Sequence, residues 1–178
     1  MKFKTMAIIS GTVLQNNRNG MVLQPDFDKT SKVHVMYPAR FSEGYALICA
    51  GDEIIVSGEI TLYNARNITI IPGALHDIQR KYPGNARTVN FVSITGQSKS
   101  VSYSLHTDDL FHAEFGYGIL GTQKIDFHID REKLNPESLR DFALGNQFRP
   151  YTISGKLQRF QSSDVNKLQL VADSIVRA

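Results

Sequence analysis

Four short segments of this chain share one pattern: Ile8-Ile9-Ser10-Gly11, Ile55-Val56-Ser57-Gly58, Val92-Ser93-Ile94-Thr95-Gly96 and Thr152-Ile153-Ser154-Gly155. Each is an apolar, β-branched strand signal that runs into a glycine, where the missing Cβ admits a bulge or a sharp bend. Strands bent at glycines are what a small closed barrel needs at its corners. Two of the segments fall in each half of the 178 residues, a length that holds one large domain or two small ones.

The first half predicts a strand over residues 7–15, a turn over Asn16, Asn17, Asn19 and Gly20, and a second strand around residues 21–23 that Pro25 and the following aspartates end. A third strand spans 32–37, with Val33 and Val35 alternating against His34 and Met36. Phe41, Tyr45 and Ile48 then have the spacing of one face of a short helix that Gly51 ends. A fourth strand covers 53–63, and a fifth covers 67–71 with a continuation toward Ile78.

The second half repeats the order with longer strands over 89–105, 111–119 and 124–129, then 151–160 and 167–176. Between its third and fourth strands Asn135 caps a helix, Pro136 suits the first turn, and Leu139, Phe142 and Ala143 share a face before Gly145. Both halves thus read strand, strand, strand, helix, strand, strand. They also align at their ends: Gly58 to Tyr63 lies against Gly155 to Phe160, and Ile68 to Ile71 against Leu168 to Val171.

That order is the topology of the five-stranded oligonucleotide/oligosaccharide-binding (OB) barrel. The segment Gly51-Asp52-Glu53-Ile54-Ile55-Val56-Ser57-Gly58 resembles the Gly-Asp-x-hydrophobic-x-Val-x-Gly run that opens the fourth strand in many such modules, particularly those of the single-strand-binding and replication-protein-A type. The second half keeps the strand and the glycine at Gly155 but lacks the leading Gly-Asp. The expectation is an all-β protein with short helices, made of two tandem OB barrels over residues 1–80 and 89–178 with a linker at 81–88, where Tyr82-Pro83-Gly84-Asn85 carries a turn. One larger β-sandwich is the alternative, since its short strands give similar local patterns.

Composition narrows the class. Hydrophobic residues make up 42% and charged residues 21%, as in an ordinary globular protein, and no run approaches the roughly 18 apolar residues that cross a bilayer. The basic start is interrupted at Gly11 before a signal-peptide core forms, so a cytoplasmic protein with no membrane association is expected. The single cysteine, Cys49, follows Ala46, Leu47 and Ile48 and is expected as a reduced core thiol. Twenty basic residues against seventeen acidic ones give a net charge of +3, which supports a polyanionic partner only weakly.

In the fourth strand alternation points Ile54, Val56, Ile60 and Leu62 inward and Ile55, Ser57, Glu59, Thr61 and Tyr63 outward; in the second half Ile153 and Leu157 point inward and Phe160 outward. Tyr63 and Phe160 each lie five residues after an aligned glycine, at the loop that lines the ligand groove in OB modules. A ring there stacks on a base for about 1 to 3 kcal/mol. The cations expected to hold phosphates are Arg18, Lys32 and Arg66 in the first module and Lys99, Lys124 and Arg159 in the second, with His34 sharing the outward parity of Lys32. Packing between barrels is the competing explanation for the two rings. Phe115 and Tyr117 read as inner-face residues, and Phe91, Phe127 and Phe142 as core.

His106, Asp108, Asp109 and His112, with Asp126, His128 and Asp130 on a neighbouring strand, have ligand chemistry but match no established metal spacing, and a solvated turn explains them more simply. Phosphate loops, dinucleotide fingerprints and nucleophile elbows are absent. The resemblance therefore implies a non-enzymatic, cofactor-free protein that binds single-stranded DNA ahead of RNA, in replication, recombination or repair. A protein-interaction or self-assembly module is the principal alternative, and a metal-dependent hydrolase or nuclease using the His106 to His112 cluster is the third.

Overall fold

The computed structural model describes residues 4–41, 47–61, 68–85, 87–103, 110–116, 122–130, 132–144, 149–162 and 165–178, with side chains omitted for 97–126, 143–144, 161–162 and 165–167. Two compact units share the chain: Met6–Phe91 with Arg159–Leu168, and Met1–Thr5 with Val92–Gln158 and Gln169–Ala178. They are called here the N-terminal and C-terminal units.

The N-terminal unit contains most of β1 (Lys4–Asn17), with β2 (Gly20–Pro25), β3 (Val33–Met36), β4 (Glu53–Thr61), β5 (Ile68–Ile71) and β6 (Ile78–Arg80). β1 pairs antiparallel with β2, β2 with β3, and β4 with both β5 and β1, while β3 and β5 run parallel. The pairings return to their start, so these five strands form a closed barrel. Its interior follows from the alternation in the sequence. Ile9, Leu23, Val33, Ile54, Val56 and Ile70 are completely buried, each contributing about 1.5 to 3 kcal/mol of burial. Ile55, Ser57 and Thr61 are half-buried and Glu59 exposed, as their opposite parity requires.

Closure brings backbones together where a glycine is needed. A Cβ built on Gly58 would stand 2.4 Å from the carbonyl oxygen of Ile71, too close for any side chain. The sequence alignment matched Gly58 with Gly155 and Ile71 with Val171, and a Cβ on Gly155 would stand 1.9 Å from the Val171 carbonyl oxygen.

The C-terminal unit contains most of β7 (Asn90–Tyr103), with β8 (Leu110–Gly116), β9 (Thr122–Ile129), α1 (Pro136–Leu144), and the larger parts of β10 (Pro150–Ser162) and β11 (Val165–Arg177). Its pairings follow the same order: β7 with β8, β8 with β9, β9 parallel to β11, β11 with β10, and β10 with β7. Asn135 Oδ1 accepts the Glu137 N–H at 2.9 Å and caps α1 at its predicted start. Phe142, completely buried, packs edge-on to Tyr151 with ring centroids 5.1 Å apart and at 5.9 Å from Phe127.

Three expectations change. Cys49 is exposed rather than a core thiol: Asp52 Oδ2 accepts the Cys49 N–H at 2.8 Å, shaping a tight surface turn that leaves Leu47 68% exposed. Phe91 is not core either, because Val92 and Ile94 take the inward parity of β7 and leave Phe91 38% exposed. The fifth strand ends at Ile71, before Pro72, and the chain makes a 3-10 turn over Leu75–Asp77. It then adds β6, which pairs with the first half of β4 (Ile54↔Arg80, Val56↔Ile78) and begins inside the stretch expected to lead into a linker. The short helix expected over 41–48 falls largely outside the described residues; Ala39–Phe41 is a 3-10 turn with Phe41 buried. No helix among the described residues is long and apolar enough to cross a membrane.

Candidate functional site

A polar groove on the N-terminal unit lies across the outer face of β2 and β3, at the turn between β1 and β2. It is an open hollow of about 330 Å³. A β-bulge builds one wall. The β1–β2 register shifts between Val13↔Leu23 and Gln15↔Val22, so Gln15, which strict alternation with Ile9 and Val13 would turn inward, stands on the outer face beside Val22. Val22 in turn opposes His34, and His34 opposes Thr69 on β5. A row of Gln15, Val22, His34 and Thr69 therefore crosses four strands.

The next row is made by an absence. Gly20 pairs with Asn17 on one side and Met36 on the other, and with no side chain between them the floor is open. A Cβ on Gly20 would stand 2.1 Å from the Val35 carbonyl oxygen, at a backbone φ of +156°. Met36 is 53% exposed at the rim.

Tyr37 holds this wall in place. Its hydroxyl donates to Asn16 Oδ1 at 2.8 Å, its N–H donates to the Asn19 carbonyl at 3.0 Å, and Asn16 Nδ2 donates to the Ile48 carbonyl at 2.7 Å. Burial pushes the Tyr37 phenol up to about 12, so it remains a neutral donor. Asn17 Oδ1 accepts the Asn19 N–H at 2.8 Å within the turn. Tyr37 and Asn16 were not expected at the site: their partners lie 21 and 32 residues away along the chain and have no local sequence pattern.

Of the residues singled out from the sequence, His34 lines the groove. Arg18 is exposed in the adjoining turn and Lys32 is exposed just before β3, both beyond the groove's lining. Arg159 Nη1 donates to Thr30 Oγ1 within the N-terminal unit. The nearby Asp28 carboxyl sits below its ordinary value: burial pushes it up, but hydrogen bonds from Ser31 and Thr30 and the Arg159 charge pull it further down. Phe160 is half-buried on β10. Lys99 lies on β7 and Lys124 on β9 opposite Glu114, with side chains outside the described residues. Tyr63 and Arg66 lie outside the described residues altogether.

The same is true of His106, Asp108 and Asp109. His112 and Asp126 oppose each other in the β8–β9 register, and His128 Nε2 lies 2.6 Å from Gln169 Oε1. Among the described residues no group of three His, Cys, Asp or Glu is placed to hold a metal ion.

A second hollow, lined by Leu47, Ile48, Cys49, Leu75 and Ile78 with His76 and Arg80, is larger and more apolar, about 870 Å³. Its one arginine is engaged: Arg80 donates to Asp52 Oδ2 at 3.1 Å and to the Leu47 carbonyl at 2.5 Å.

A closed circuit of five strands in the order β1-β2-β3-β5-β4 defines an OB-fold β-barrel protein. The same fold is found in the single-stranded DNA-binding protein from Thermus aquaticus. A deletion variant of that protein aligns with a TM-score of 0.64 and 13% identity over 99% of this chain and 95% of its own. The wild-type protein aligns with a TM-score of 0.60 and 13% identity over 100% and 94%. No protein-family model matches the sequence, nor does any curated protein. At this identity the shared property is the fold.

Proposed function

We infer that this chain is a non-enzymatic, cofactor-free protein that binds single-stranded nucleic acid, DNA ahead of RNA, and serves replication, recombination or repair. The observation that carries the reading is the groove across β2 and β3 beside the β1–β2 turn, the face on which OB barrels bind oligonucleotides. Arg18 in the adjoining turn and Lys32 just before β3, both exposed, supply charge for a phosphate backbone. The likeness to the Thermus aquaticus protein supports DNA as the ligand. The repeated order of pairings, together with the matched Gly58–Ile71 and Gly155–Val171 contacts, supports two OB modules related by duplication. In this reading Tyr63 and Phe160 stack on bases, while Arg66, Lys99, Lys124 and Arg159 join Arg18 and Lys32 at phosphates.

The test is titration of labelled single strands at low salt, with the ring variants Tyr63→Ala and Phe160→Ala beside the parent. Each ring variant loses about 1 to 3 kcal/mol of binding with an unchanged salt slope, whereas Arg66→Ala flattens the slope. Incubation with magnesium, manganese or zinc leaves nucleic acid intact; metal-dependent turnover that disappears in a His106→Ala/His112→Ala variant overturns the non-enzymatic reading. The apolar hollow at Leu47, Leu75 and Ile78 favours a second reading, in which the barrel docks a protein partner or another copy of itself.

A further inference from the structure

The groove's chemistry is unlike that of a phosphate track. None of the residues lining it is a lysine, an arginine or a carboxylate, and no aromatic ring lines it beyond the imidazole of His34. It offers an apolar surface and hydrogen-bonding side chains without partners. Met36 and Val22 supply the apolar surface. Among the described residues, the Gln15 and Asn19 amides and the His34 imidazole make no hydrogen bond or ion pair, although the turn that carries Asn19 is fixed through Tyr37. The open floor above Gly20 lets a flat group approach the backbone between Asn17 and Met36.

A neutral site of this kind cannot obtain its affinity by neutralising phosphates. A site without stacked rings also lacks the sequence tolerance of an aromatic platform, which accepts every base by its π-face. What it presents is the adjacent donor and acceptor of a carboxamide, and that pair matches the N6 donor and N7 acceptor of adenine.

Resting on the single-strand reading above, we propose that this groove takes one unstacked base against Met36 and selects adenine through the side-chain amides of Gln15 and Asn19. The N-terminal barrel is then base-selective, and its selectivity does not depend on salt, because no counterion is released at the groove.

The experiment compares two labelled oligonucleotides of about 20 nucleotides, one alternating dC and dA and the other alternating dC and dT, which carry equal charge and do not self-pair. The parent protein binds the adenine strand about fivefold more tightly or better, the fold-change of roughly 1 kcal/mol for one bidentate contact, and the ratio is the same at low and high salt. Gln15→Ala/Asn19→Ala brings the ratio to near one, because it weakens the adenine strand about fivefold more than the thymine strand. Met36→Ala weakens both strands alike. All three side chains lie at the rim, and unchanged melting temperatures establish that the variants fold. Equal binding of both strands by the parent, a thymine preference, or an adenine preference that survives the double variant overturns the proposal while leaving the single-strand reading standing. Absence of binding to either strand overturns both.

Discussion

Lys81 Nζ lies 2.5 Å from Asp26 Oδ2, with the lysine side chain 5% exposed and the aspartate 15%. Ser10 Oγ donates to the same Asp26 oxygen at 2.6 Å and accepts the Val89 N–H at 2.8 Å. Ser10 has the outward parity of β1, yet it is completely buried, and its backbone N–H donates to the Val89 carbonyl at 2.9 Å. Lys81 and Val89, at either end of the stretch expected as a linker, are therefore both hydrogen-bonded to the barrel wall. Removing one partner leaves the other charge buried and uncompensated, which costs about 3 to 5 kcal/mol. Asp26→Asn should lose stability in that range by denaturant titration, while Asp26→Leu/Lys81→Met should recover most of it. Equal losses in the single and double variants would refute this.

The same pair sets an acid limit. Burial pushes the Asp26 carboxyl up, but hydrogen bonds from Lys81 and Ser10 and the charges of Lys81 and Lys29 pull it further down, to a net position below its ordinary 3.8. The unfolded chain therefore binds this proton more readily than the folded one. The stabilisation is complete above about pH 3.8 and is lost as the pH falls through the folded value. Urea midpoints measured between neutral pH and pH 3 should fall more steeply in the parent than in Asp26→Leu/Lys81→Met.

The backbone approach at Gly58 and Gly155 predicts matched penalties. Alanine at either position drives a methyl group against a carbonyl oxygen that cannot move without opening a strand pair, a cost of about 1 to 3 kcal/mol or more. Gly84, whose Cβ would meet nothing within 4 Å, has a φ of +87° and should cost only about 1 kcal/mol as alanine, through backbone strain alone. Stability within about 0.3 kcal/mol of the parent in Gly155→Ala would contradict the close approach.

Alternation made most of this fold legible. Ile54, Val56, Ile60, Ile153 and Leu157 are buried where the period of two placed them, and the Asn135 cap marked the start of α1 within one residue. The failures arose where tertiary contacts override local pattern. The run from Leu47 to Cys49 is apolar but bends into a surface turn, so composition alone misplaced the thiol. Gln15 reaches the groove only through a bulge that shifts parity by one residue. His34 was readable by its parity with Lys32, whereas Tyr37 and Asn16 act through partners far along the chain.

Tyr37→Phe should therefore separate the wall from the barrel core. The loss of one buried hydrogen bond to Asn16 costs about 0.5 to 1.5 kcal/mol of stability. Because the β1–β2 turn loses its anchor, single-strand affinity should fall more than it does in Tyr151→Phe, whose hydroxyl donates to the Asp141 carbonyl at 3.2 Å in the C-terminal unit. Equal affinities in the two variants would remove Tyr37 from the site.

The most direct measurement is fluorescence anisotropy of a labelled single-stranded DNA of about 20 nucleotides, titrated with the folded protein at several salt concentrations between about 20 and 200 mM. Saturable binding is predicted that is tightest at low salt, weakens linearly in log–log form as salt rises, and is competed by unlabelled single strand in preference to duplex. No binding at the lowest salt by protein with a cooperative melt would contradict the nucleic-acid reading and turn attention to the apolar hollow around Leu47 and Leu75.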